Sequence, residues 1–152
     1  GQQQAQNEKA DEKTERRPYA EFEADNAERI IGGAIMALDV DTTHPLAYGV
    51  QRGELAIMKN NLITLVQSDN PYSTVAAYAQ EALLAGYASE DNRKALAGKA
   101  AITAELVGSG RVIRFADNPL FRGHWYGSSR LYANALYMGH LIQRTQLPQG
   151  PR

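Results

Sequence analysis

The chain has no cysteine among its 152 residues, which removes disulfides, thiolate metal sites and a cysteine nucleophile. That absence is compatible with the cytosol and with an envelope compartment alike. No apolar run reaches the roughly 18–20 residues of a membrane-spanning helix. Neither sign of charge is in excess. Sixteen Lys and Arg stand against 17 Asp and Glu, a formal net charge of -1, which gives no reason to expect the basic face that nucleic-acid binding needs. Histidine is scarce: His44, His124 and His140 are the only three. No two of them lie at i,i+4 and none opens a His-x-x-Glu pattern, so the spacing gives no zinc site. None of Ser68, Ser73, Ser89, Ser109, Ser128 and Ser129 sits in Gly-x-Ser-x-Gly, and Gly108-Ser109-Gly110 lacks the lysine of a phosphate loop. The residues show no set of nucleophile, base and orienting group.

What remains is enough for one domain, with 43% hydrophobic residues. Residues 1–18 are read as a polar linker or arm, residues 19–145 as the folded domain and residues 146–152 as a tail. The first 17 residues contain only Ala as an apolar type, too little burial to offset ordering entropy. They open polar rather than apolar, so no signal peptide is read at Gly1. Pro18 ends any helix formed in the arm.

Along the domain, Ala34 to Val40 (AIMALDV) reads as a strand. Leu55 to Met58 and Leu62 to Val66 flank Lys59-Asn60-Asn61 in a hairpin-like pattern. Thr74 to Ala79 reads as a further strand. Ser89 to Leu96 reads as a short helix with Ser89 as N-cap, acids in its first turn and Gly98 closing it. Ala100 to Val107 and Arg111 to Ala116 flank Gly108-Ser109-Gly110, a tight antiparallel connection. The last element is a helix from Ser128 or Ser129 to about Gln143, with Leu131, Ala135, Met138 and Ile142 on one face.

Strand, loop and helix in that order suit the carboxyl edge of an open α/β sheet, where ligands sit. The loop after the last strand offers Asp117, Asn118, Arg122, His124 and Trp125 as ligand-binding candidates. The acids Asp39, Asp41 and Asp117 are a second candidate group at the sheet edge, against their use as turn residues. Few helices separate the strands, so two sheet faces are not both covered. An edge strand such as Ala34 to Leu38 is then expected to pair with a second copy, giving a homo-oligomer.

The stretches GRVIRFADNPLFRGHWYG and DTTHPLAYG, with Ile31 to Gly49, Ser68 to Tyr78 and Leu83 to Gly139 around them, carry a resemblance over most of Arg17 to Ile142. The chain resembles the C-terminal, class I glutamine amidotransferase-like domain of bacterial zinc carboxypeptidases of the carboxypeptidase A type. That resemblance implies an α/β fold, a partial flavodoxin-like domain with a mixed sheet and a long C-terminal helix. It places zinc, and the hydrolysis of C-terminal peptide bonds, in a separate catalytic domain of the same polypeptide, secreted or periplasmic. Active amidotransferases carry a His-Pro-Glu segment after the last strand. Here Asn118 stands for the His and Leu120 for the Glu, and neither can serve as or orient a general base. The expectation is therefore a non-catalytic accessory domain, with no cofactor of its own. The alternative is a module that binds a sugar or peptide on the 117–125 loop.

Overall fold

The computed structural model describes residues 16–145. The 1–15 part of the arm and the 146–152 tail lie outside them. The first element within the described residues is a 3-10 turn over Tyr19–Glu21 with Pro18 at its N-cap. A helix the sequence reading did not place follows, α1 (Phe22–Arg29). Arg17 ties the arm to it through Asp25 at 2.8 Å.

Five strands form one sheet: β1 (Ala34–Val40), β2 (Glu54–Lys59), β3 (Thr74–Gly86), β4 (Ala100–Val107) and β5 (Gly110–Phe115). Their order is β2-β1-β3-β4-β5. Every neighbouring pair is antiparallel, which corrects the mixed sheet expected from the sequence, and no parallel pair of a flavodoxin-like sheet is present among the described residues. The physical reason lies in the connections. Parallel neighbours need a crossover of a dozen or more residues, usually helical, whereas β4 and β5 are joined by Gly108 and Ser109 alone, with Val107 opposite Gly110. Gly108 takes φ +62 there, a left-handed turn that glycine adopts without penalty. The fold is mixed α/β all the same, with α2 (Glu90–Leu96) and a long C-terminal helix, α3 (Tyr126–Met138).

Three further readings change. Leu62–Val66 is not a strand: only Leu65 forms an isolated bridge, to Ala100, and Leu62, Ile63 and Val66 are exposed. The strand read over Thr74 to Ala79 continues to Gly86, because its second half pairs with β1 through Leu83, Ala85 and Gly86. Gly86 is required at that end, since a Cβ would stand 2.8 Å from the Gly33 carbonyl oxygen. The strand Ala34 to Leu38 is no edge. It lies between β2 and β3, and the two open edges are β2 and β5.

The core is one cluster. Met36, Leu38 and Val40 of β1 share a face with Ile57 of β2, Tyr78 of β3 and Ile102 of β4. Helix α3 is packed on that face. It starts two residues before the expected Ser128 and ends at Met138, followed by a 3-10 turn over Gly139–Leu141. Leu131 is buried in the core, as the helical face predicted, while Ile142, read on the same face, is buried from beyond the helix, just after the 3-10 turn; Tyr132 meets Phe115 of β5 at 5.9 Å. At the helix start, Gly127 lets the backbone approach β2: a Cβ would lie 3.1 Å from Leu55. The amide of Asn134 donates to the carbonyls of Leu46 (2.8 Å) and Tyr48 (2.9 Å), fixing the helix against the β1–β2 connection. No helix among the described residues is long and apolar enough to cross a membrane.

Candidate functional site

The alternation of β2 places Leu55, Ile57 and Lys59 on one face, opposite Leu38, Met36 and Ala34 of β1. That is the face buried under α3, so the strand carries a lysine into the core. A buried ammonium must be paired or lose its proton, and three elements supply partners. Lys59 Nζ donates to the Ile63 carbonyl (2.9 Å), to the Tyr78 hydroxyl (2.9 Å) and to Asp117 Oδ1 (3.1 Å). A fourth acceptor, Asn61 Oδ1, stands further off at 3.5 Å. The Tyr78 hydroxyl in turn donates to Asp117 Oδ2 at 2.5 Å, and the Asn61 amide donates to Asp117 Oδ1 at 3.2 Å. The ammonium also lies 4.8 Å from the centre of the Tyr78 ring.

The cluster is sealed: Lys59 is 0%, Tyr78 1% and Asp117 5% exposed. Burial pushes the Lys59 ammonium below its ordinary value, against the opposing pull of the Asp117 carboxylate. Burial, then the negative charge of Asp117 and the bond to it, push the Tyr78 phenol well above its usual range. Tyr78 is therefore a permanent donor near neutral pH. Because Lys59 ends one edge strand and Asp117 follows the other, the pair bridges the two edges of the curled sheet. The segment after Lys59 continues the bridge, with the Ile63 amide donating to Asn61 Oδ1 at 2.8 Å.

The five loop residues singled out from sequence do not converge. Asp117 turns inward to Lys59 and leaves the set. Asn118 is exposed and its Oδ1 accepts the Leu120 amide at 2.9 Å, a local turn bond. Arg122 is exposed, takes a left-handed backbone at φ 52 and lies over the Phe121 ring at 5.3 Å. Asp117 is therefore not its partner. Only His124 and Trp125 come together, with ring centres 6.3 Å apart, while His124 Nδ1 is 3.2 Å from the Arg122 carbonyl. The hydroxyls of Ser128 and Ser129 both donate to the Pro119 carbonyl, so the loop is tied to the first turn of α3.

The acidic group does not form either. Asp39 is exposed and pairs in register with Glu54 and Ala77. Asp41 accepts from the Thr43 amide (2.9 Å) and hydroxyl (2.5 Å) as a turn residue. Asp117 is buried elsewhere. Among the described residues no three His, Cys, Asp or Glu side chains are grouped as a metal site would need. His44 does cap a turn: its Nδ1 accepts the Leu46 amide at 3.2 Å at the start of Pro45–Ala47. Burial lowers its pKa, with Asp41 opposing. His140 is exposed in the last 3-10 turn. A cleft of about 750 Å³ opens beside His44, between Asp41, Ser68, Glu105, Ile142 and Arg144.

Sequence reasoning missed Lys59, Tyr78 and Asn61, because Lys59-Asn60-Asn61 reads as a turn. The signal was the alternation Leu55, Ile57, Lys59: a lysine at an inward position demands a carboxylate. No protein-family model matches the chain, and neither a curated protein nor a solved structure matches it.

Proposed function

We propose that the chain is a non-catalytic accessory domain of a larger zinc metallocarboxypeptidase, kin to the end of class I amidotransferase-like domains. The residues quoted for the resemblance carry that kinship, not the sheet, whose neighbours are all antiparallel. One observation carries the non-catalytic part. Asn118, at the position of the amidotransferase histidine, spends its side-chain oxygen on the Leu120 amide, and Leu120 offers no carboxylate. An amide neither takes up a proton near neutral pH nor activates a nucleophile. In this reading zinc and peptide hydrolysis belong to the parent's catalytic domain, which is the partner of this one, in a secreted or periplasmic setting. The chain also pairs with a second copy through an open sheet edge.

The purified chain is expected to release neither C-terminal amino acids from peptides nor ammonia from glutamine, and to hold no stoichiometric zinc. The full-length gene product is expected to cleave C-terminal residues and to lose that activity to a chelator. Turnover by this chain with bound zinc, or a full-length product without peptidase activity, would sink the reading.

A second reading is favoured by Arg122. A non-glycine residue at φ 52 costs of the order of 1–2 kcal/mol, and such strain points towards a use. Exposed and lying over the Phe121 ring, the guanidinium offers a fork for carboxylates or hydroxyls. Calorimetry with sugars and short peptides on wild type and Arg122→Ala is the test: binding that vanishes in the variant supports this reading.

A further inference from the structure

We propose that Lys59 and Asp117 join in an intramolecular isopeptide bond, Nζ to Cγ, which fastens the two edges of the sheet covalently. The inference concerns the fold's own chemistry and stands whether or not the chain belongs to a peptidase.

The geometry supplies each requirement of amide formation. Nζ is hydrogen-bonded to Oδ1 at 3.1 Å, so the amine is held against the carboxyl group whose carbon it would attack. Both groups are held from opposite edges of a rigid sheet, which replaces a bimolecular encounter by an effective concentration of roughly 10⁵–10⁸ M. Water is excluded, as Lys59 and the Asp117 side chain are wholly buried. That matters for the equilibrium as well as the rate. In water, amine and acid are held apart as solvated ions. Here the ion pair has lost its solvation, so its conversion to a neutral amide removes two buried charges. A desolvated lysine amine is also the form that acts as a nucleophile.

The step balances with what the site holds. A proton passes from the Lys59 ammonium to Asp117 Oδ1, giving an amine and a carboxylic acid. The amine keeps two hydrogens, one for the Ile63 carbonyl and one for the Tyr78 oxygen, and its lone pair is left for Cγ. As the N–C bond forms, charge develops on Oδ2, where the Tyr78 hydroxyl already donates at 2.5 Å and acts as the oxyanion donor. Oδ1, with its proton and a second one from Nζ, departs as water. Oδ2 remains as the amide oxygen on Tyr78. Neither an oxidant nor a cofactor is consumed.

Intact mass spectrometry of the denatured wild-type chain is the test. The expected mass is below the sequence mass by one water, and a digest is expected to contain one branched peptide joining Lys59 to Asp117. Lys59→Arg keeps the charge but not the amine, and its mass is expected to equal its sequence mass. Asp117→Asn is expected to lose ammonia in place of water. A wild-type chain that folds with its full sequence mass overturns the proposal, and so does the loss of water in Lys59→Arg. A branched peptide that joins Lys59 to Asn61, with ammonia lost, overturns it as well.

Discussion

A lysine on the inward face of an edge strand is tolerated only because its carboxylate comes from the opposite edge. Removing one member leaves the other charged and unpartnered in the core, and such losses run to about 3–5 kcal/mol. Lys59→Ala and Asp117→Ala are each expected to lose about that much in urea unfolding. The apolar double variant Lys59→Met with Asp117→Leu is expected to recover the part that comes from the unpaired charge, since no charge then remains buried. Single variants within about 1 kcal/mol of wild type would show the pair to be hydrated, like a surface ion pair. His44 gives a pH effect. Its neutral Nδ1 accepts the Leu46 amide, and burial lowers its folded pKa from 6.5. The unfolded chain therefore binds a proton before the folded one does. Stability that is full above pH 6.5 falls as the pH drops from there to the lowered folded value. His44→Asn keeps an acceptor without the titration, and is expected to flatten that part of the stability profile. An unchanged profile would place the acid sensitivity elsewhere. At this scale Ser89 was legible as a cap and Asp41 as a turn residue, each bonding to backbone two or three residues away, whereas Asn118, read as a ligand-binding candidate, bonds to the Leu120 amide instead. The buried cluster was not, because Lys59, Tyr78 and Asp117 are 19 to 58 residues apart and only the sheet order brings them together.

Elements set by local chemistry were read closely. β1, the β4–β5 hairpin and α2 follow from an apolar run, a two-glycine turn and a serine cap. Gln80–Gly86 resisted, because Gln, Glu, Ala and Leu are good helix formers, yet here they extend β3. Pairing with β1 decides the matter, a contact that propensity cannot foresee. Leu62–Val66 failed for the opposite reason. Its residues suit a strand, but Asn61 and Lys59 hold the segment's backbone by side-chain bonds, and no neighbouring strand continues its ladder. Helix α1, also unforeseen, has no buried residue of its own and is attached through α2. The Glu28 carbonyl accepts from Ser89 Oγ at 2.8 Å and from the Asn92 amide at 3.1 Å. Ser89→Ala removes both the cap of α2 and one of these anchors, and is expected to cost about 1 kcal/mol or somewhat more. Hydrogen exchange should then rise over Phe22–Arg29 as well as Glu90–Leu96. Faster exchange confined to α2 would mean that α1 is held by other contacts.

The whole sheet has two ends to its ladder, and association is decided there. β1, once the expected docking strand, is enclosed on both sides, so pairing with a second copy falls to β2 or β5. Across the β4–β5 hairpin, Val107 and Gly110 close the two-residue turn. Alternation then turns the main-chain groups of Arg111, Ile113 and Phe115 outward, with no strand beside them among the described residues. Two arginines on that strand are already engaged: Arg111 donates to the Ile142 carbonyl and Arg114 pairs with Glu105. They therefore guard the edge less than free charges would. Near the same side, where Leu65 bridges to Ala100 at the start of β4, Leu62, Ile63 and Val66 are exposed, Val66 at 92%. Apolar side chains beside an open ladder favour an antiparallel dimer, in which each β5 continues the partner's sheet. Sedimentation equilibrium at micromolar concentration is expected to show a dimer. Val112→Lys sets two like charges near the centre of the pairing, where they are destabilising, and is expected to shift the equilibrium towards monomer without loss of fold. A strictly monomeric wild type would mean that the Lys59–Asp117 bridge draws the two edges close enough to satisfy each other. The open ladder would then be a feature of strand order and not of the surface.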